Sequence, residues 1–248
     1  MSGHSKWATI KRKKGATDQA RGKLFSKYIK EITLAARAGA DPAMNPRLRT
    51  AIAGAKSVNM PASNIERAVR RGAGLEEGVH YEETQYEGYG PGGVALLVEV
   101  ATDNRNRTAG EIRSIFTKHG SALGAAGSVA YLFKPRGVIL VDKAAVSEEA
   151  LVEIVLEAGA DDVAGEGDTF EILTPPAHLE PVKEALAAKS VPTQSAELTK
   201  IASLLVAVNE KQAESLLKLV DMLEDHDDVQ KVYANFSMSD ELMAKLSH

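Results

Sequence analysis

Helical spacing opens the readable part of the chain. Leu24, Phe25, Tyr28, Ile29, Ile32, Ala35 and Ala36 recur at the interval of one helix face, with Lys23, Lys27 and Lys30 along another, and Gly39 stops the pattern. Asn45 and Pro46 read as an N-cap and first turn for a second helix carrying Leu48, Ala51, Ile52, Ala55 and Val58. A third is predicted from Ser63, where Ser63 and Glu66 match a capping box, to Gly72. Residues 1–22 show no apolar period and are expected to be a flexible basic arm.

Beyond residue 74 the period shortens. Residues 81–87 and 93–101 read as strands of a hairpin around the glycine-rich turn 88–93. A helix is predicted over about 107–119, then a strand over 128–134. The stretch from 138 to 199 spells β-α-β-β-α-β: a strand at 138–142, a helix presenting Leu151, Ile154 and Val155, two strands near 162–174, a helix with Leu179, Val182 and Leu186, and a weak strand at 193–199. The flanks repeat that order when joined across it, with strands at 93–101, 128–134, 203–208 and 229–236 and helices at 107–119 and 210–223. The ends of an antiparallel hairpin lie close together, so a domain can be inserted there. The expected class is α+β: an arm (1–22), a small helical domain (23–74), a discontinuous ferredoxin-like domain (75–136 and 201–248) and an inserted ferredoxin-like domain (137–200).

Composition narrows the function. The chain has 248 residues, 44% hydrophobic and 26% charged, enough to build cores. Its longest apolar stretches, 94–98 and 201–208, fall far short of the ~20 residues that span a bilayer, and the basic N-terminus lacks the apolar core of a secretory signal. A cytoplasmic protein without a membrane partner is expected. The absence of cysteine removes disulfides, thiol catalysis, iron–sulfur clusters and cysteine zinc sites. Charge is partitioned: residues 1–74 carry 16 Lys and Arg against 4 acids, and the remainder 14 against 30. Such asymmetry suggests a polyanion-binding segment on an acidic body.

No nucleophile, metalloprotease or phosphate-loop motif occurs, so no enzyme, cofactor, metal or small-molecule substrate is expected. Gly88 to Gly93 opens a strand and not a helix, which makes it a turn and not a phosphate cradle. The run Asp225-His226-Asp227-Asp228 and the acids of 161–168 read as solvated loops. In the arm, His4, Lys6, Lys11, Arg12, Lys13 and Lys14 surround the sole tryptophan, Trp7, whose ring can stack on an unpaired base. Lys23, Lys27 and Lys30, then Arg67, Arg70 and Arg71, would extend a cationic surface, although each such group alone is most often just a solvated helix face. Between a strand and a helix, Asn104, Arg105, Asn106 and Arg107 offer donors for phosphate or sugar, while Thr108 and Glu111 match a capping box.

These residues also carry a resemblance. GHSKWATIKRKK with Asp18 and Lys23-Leu24-Phe25, Met60-Pro61 with Asn64 to Ala68, Tyr86 to Val94, Thr102 to Thr108, and Gly127-Ser128-Val129 leading into Phe133 are together similar to the YebC family, from end to end. That family is described as probable transcriptional regulatory proteins and includes mitochondrial translational activators of cytochrome c oxidase. The resemblance implies a helical N-terminal domain, two ferredoxin-like domains and nucleic-acid binding without catalysis. Two partners remain open, duplex DNA for a transcriptional regulator and ribosomal RNA for a ribosome-associated factor that relieves stalling at stretches such as consecutive prolines. No helix-turn-helix with a recognition helix is visible, and a flexible arm with one indole suits irregular RNA. Oligomeric state is not legible.

Overall fold

The structure is a computed structural model describing residues 18–246. The chain falls into two compact units, one ending at Tyr131 and resuming at Leu204, the other Leu132–Ser203. The class is α+β, a helical segment with two α/β layers, one inserted within the other.

Three helices open the outer unit: α1 (Asp18–Ala36), α2 (Pro46–Ser57) and α3 (Ala62–Gly72). Helix α1 starts at Asp18, so residues 18–22 belong to it and not to an arm; once the apolar face of 24–36 has nucleated the helix, adding a preceding turn costs little, even through Gly22. Asn45 caps α2 as its pairing with Pro46 predicts, accepting from Leu48 N at 3.1 Å while its amide donates to the carbonyls of Ala35 and Gly39 at 2.8 Å. The Ser63–Glu66 capping box does not form. Helix α3 begins one residue earlier, at Ala62, behind Pro61, whose carbonyl accepts from Asn64 N and Ile65 N at 3.0 and 3.4 Å, so Ser63 lies inside the helix and no side chain caps it. Ile32, Ala35, Leu48, Ala55, Met60, Ile65 and Ala68 make one apolar core for the three helices.

The outer sheet is built from β1 (Glu82–Tyr89), β2 (Ala95–Thr102), β3 (Ala122–Leu123) and β9 (Val229–Ala234), in the order β3-β1-β2-β9. Alternation along β2 turns Leu96, Val98 and Val100 toward Ile112 and Phe116 of α4 (Arg105–Lys118) and toward Leu216, Leu219 and Leu223 of α7 (Glu210–Glu224). The β1–β2 connection needs Gly92 and Gly93, which sit at φ 78° and 75°. Gly88 is needed for another reason, since a Cβ there would stand 2.6 Å from the Phe116 ring.

Strand assignment differs from the periodicity in several places: β3 lies where no strand is predicted, and the strand predicted at 138–142 starts already at Phe133. Residues 128–132 form no strand, because the amides of Gly127, Val129 and Ala130 donate to the buried Glu87 carboxylate at 2.6, 2.7 and 2.7 Å instead of to a ladder. Residues 203–208 contribute only β8 (Val206–Ala207), parallel to β10 (Phe236–Ser237). Strand β1 occupies the place in the sheet that the flanking repeat reserved for that segment, and α8 (Asp240–Leu246) ends the described chain.

The inserted unit follows its pattern closely. Strands β4 (Phe133–Asp142), β5 (Asp162–Glu166), β6 (Thr169–Thr174) and β7 (Thr193–Ala202) order as β5-β6-β4-β7, all antiparallel, the ferredoxin-like arrangement. Helices α5 (Glu148–Glu157) and α6 (Leu179–Ala188) bury Leu151, Val155, Val182 and Leu186 against Ile139, Val141, Phe170 and Ile172.

Candidate nucleic-acid interface and the Asp228 cluster

Helix α7 is set by a reciprocal capping box, Asn209 accepting from Gln212 N and Gln212 accepting from Asn209 N, both at 3.0 Å. Its other end leaves carbonyls facing outward over the turn 224–228, and α1 meets that end with its lysine row. Lys23 Nζ lies 3.3 Å from the Asp225 carbonyl and 3.2 Å from its carboxylate. Lys27 Nζ donates to the Glu224 carbonyl at 2.8 Å, and Lys30 Nζ to the Asp227 carbonyl at 2.9 Å and Asp228 Oδ1 at 2.6 Å. Cations at a helix C-terminus are favoured by its partial negative charge.

Asp228 is the hub. Its Oδ2 accepts from Arg107 and Thr108 at 2.7 Å and from Thr102 at 3.1 Å. Burial alone would raise its pKa, but the hydrogen bonds from Lys30, Thr108 and Arg107 outweigh it and hold the carboxyl well below the usual carboxylate range. Its own amide donates to His226 Nδ1 at 3.1 Å, which leaves Nε2 to donate to Glu111 at 2.9 Å. Ligand atoms of Glu111, His226 and Asp228 lie within 4.8 Å of one another. All three are already committed to protein partners, and an ammonium and a guanidinium on the same carboxylate would repel a dication, so the donor set suits an ion-pair network and not a metal.

The start of α4 is built on Asn104, which accepts from Arg107 N at 3.1 Å and leads the helix two residues earlier than its apolar spacing suggests. The Thr108–Glu111 box is not what caps it: Thr108 is fully buried and gives its hydroxyl to the hub. Arg107 reaches Asp103 at 2.9 Å and Asp228 at 2.7 Å, so its guanidinium is held by acids while its side chain stays 44% exposed. Arg105 stays 63% exposed, with Glu82 at 3.9 Å, and Asn106 is exposed. On α3, Ile65 and Ala68 face the core while Arg67, Arg70 and Arg71 face out, Arg70 and Arg71 lying 3.6 and 3.9 Å from Glu76. Tyr81 joins these parts. Lys30 stands 5.5 Å from its ring centroid; burial first, then the charges of Asp103 and Asp228, raise its phenol, with Arg71 opposing.

The structure therefore sorts the sequence-derived residues. His4, Lys6, Trp7, Lys11, Arg12, Lys13 and Lys14 lie outside the described residues. Lys30 is corrected from a surface cation to a buried one, 8% exposed, and Lys23, Lys27 and Arg107 converge with it on the acidic turn. Arg67, Arg70, Arg71, Arg105 and Asn106 keep outward positions. The acidic turn itself, which local pattern predicts as solvated loop, is the docking point. Its signal is a lysine row complementary to a distant acidic run, which no local pattern reveals.

Fold and cluster together define a class: a basic helical segment anchored by ion pairs to an acidic α/β body that carries a second α/β unit within it. The chain belongs to the TACO1/YebC family. Residues 5–75 match the family's N-terminal domain and residues 81–236 its second and third domains. It is similar to a "Probable transcriptional regulatory protein" of Geobacter sulfurreducens, 57% identical over 247 residues, covering 99% of this chain and all of that one. A protein of the same description from Persephonella marina is 55% identical over 250 residues, covering both chains fully. The crystal structure of a conserved hypothetical protein from Aquifex aeolicus superposes with a TM-score of 0.79 at 50% identity, covering 89% of this chain and 91% of that one. Among the described residues no helix is long and apolar enough to cross a membrane.

Proposed function

We propose that the protein is a non-enzymatic, nucleic-acid-binding regulator of gene expression that grips the phosphate backbone of duplex DNA, in keeping with the transcriptional regulators its relatives are named for. The observation that carries this is the outward row Arg67, Arg70 and Arg71 on α3, in a segment where 16 basic residues face 4 acids. Arg105 and Asn106 at the start of α4 add donors at a helix N-terminus, and the basic residues of 1–17 add further charge. Guanidiniums on a convex helix position a backbone and do not read bases, so binding is expected to be sequence-tolerant.

The test is a competition between duplex DNA and purified ribosomes for the full chain at physiological salt. Duplex DNA is expected to win. Replacing Arg67, Arg70 and Arg71 by Ala should make the slope of log affinity against log salt shallower by about 0.9 for each phosphate no longer neutralised. Preference for ribosomes would move the target to ribosomal RNA, and an unchanged slope would move the surface off α3.

A further inference from the structure

Lys23, Lys27 and Lys30 belong to the basic segment, yet all three are turned onto the protein's own acidic turn. We propose, building on the nucleic-acid reading, that this row is an exchangeable polyanion face: it latches α1 to the turn 224–228 in the free protein and passes to consecutive phosphates when a duplex binds. Residues at i, i+4 and i+7 share one face across about 10 Å of helix, a length that matches about three phosphates along one strand.

Three observations make the latch releasable. First, the lysine stretch of the joint is polar. Ion pairs, carbonyl contacts and the Lys30–Tyr81 contact bridge α1 and α2 to the outer sheet there, and the buried Leu34, one turn beyond Lys30 on the same face, bounds that stretch. Salt and phosphate compete with such a joint as they cannot with a packed one. Second, release leaves no orphan: Asp228 without Lys30 still holds Arg107, Thr102 and Thr108, and the freed carbonyls border the exposed Asp225 and Asp227, where water can replace the lysines. Third, access is graded along the row. The Lys23 side chain is 35% exposed and that of Lys30 11%, so exchange begins at the Lys23 end. Arg47 of α2, held to Glu31 and Glu83 at 2.9 and 2.5 Å, remains as the pivot.

The absence of native cysteine makes the test direct. Ser26→Cys on α1 and Met222→Cys on α7, both exposed, take a donor and an acceptor dye in the full chain. At low salt, transfer efficiency is expected to fall along the binding isotherm of a duplex of about two helical turns and to stay constant with an uncharged peptide nucleic acid. Independently, Lys23→Gln with Lys27→Gln, which keeps the buried Lys30–Asp228 pair, should weaken duplex binding about tenfold and flatten the salt slope by nearly two. Duplex binding at constant transfer efficiency, with wild-type affinity and slope in the double variant, would make the row a fixed brace and overturn the latch while leaving the nucleic-acid reading intact. Failure to bind either duplex or ribosomes would overturn that reading and the latch with it.

Discussion

Asp228 in the outer unit and Glu171 in the inserted one are each 5% exposed, yet their protons are held in opposite ways. Asp228 is met by an ammonium, a guanidinium and two hydroxyls, and remains ionised far into acid. Glu171 lies on the sheet face away from α5 and α6, with Leu140 and Ala164 beside it in register; burial, reinforced by Asp162, pushes it up to about 7. Burial works on both in the same direction, and the donors decide the outcome. Glu87 shows the same rule without a cation: three backbone amides lower its pKa against the burial that would raise it.

The severest perturbation of this contrast is at Asp228. Asp228→Ala leaves Lys30 buried without its carboxylate, and the outer unit should lose about 3–5 kcal/mol, measured by hydrogen exchange at β2 and β9. Because the folded pKa of Asp228 is depressed, its contribution is full above the unfolded value near 3.9 and is lost as pH falls through the folded value. The gap between wild type and Asp228→Asn should therefore be constant at neutral pH and close in acid. No closure down to about pH 2 would contradict the charge-based account.

Glu171 should behave in the reverse sense. A pKa raised from 4.5 to about 7 confers stability that is full below 4.5 and is lost as pH rises through 7. Glu171→Gln should thus match wild type near pH 4 and exceed it at about pH 8–9 by up to about 3 kcal/mol, followed by exchange at β6 amides. Equal stability at both ends would show that the carboxyl is solvated. Glu87→Gln replaces one acceptor oxygen by a donor facing amides; a drop of about 1–3 kcal/mol, read as faster exchange at Gly127, Val129 and Ala130, is expected. Smallest is Thr102→Val, which removes one of the donors to Asp228 and should cost about 1 kcal/mol, read from the urea midpoint of the outer unit.

Much of the architecture is written in local pattern. The face of α1, the Asn45 cap, and the β-α-β-β-α-β order of the inserted unit all arise from residues within one or two turns or from alternation along single strands. Local pattern failed where another group overrode it. Ser63 and Glu66 have the right spacing, but the helix already starts at Ala62, which puts Ser63 inside the first turn and not at its cap. Residues 128–130 have strand-like side chains, yet the amides of Val129 and Ala130 go to Glu87, which lies 42 and 43 positions earlier. Thr108 has the spacing of a cap and is drawn to a carboxylate 120 positions away.

Neighbouring residues along the chain are enough to place most helices and strands, to make one segment basic and the rest acidic, and to rule out cysteine chemistry. How the charge is used emerges at the level of tertiary packing. Hydrophobic period is a property of neighbours in the chain, whereas the ion pair of Lys30 with Asp228 joins residues 198 positions apart. Whether a lysine faces solvent, a phosphate or a buried aspartate depends on which surface the fold brings against it, and that is settled by packing of the apolar faces of α1 and α7 on their separate cores.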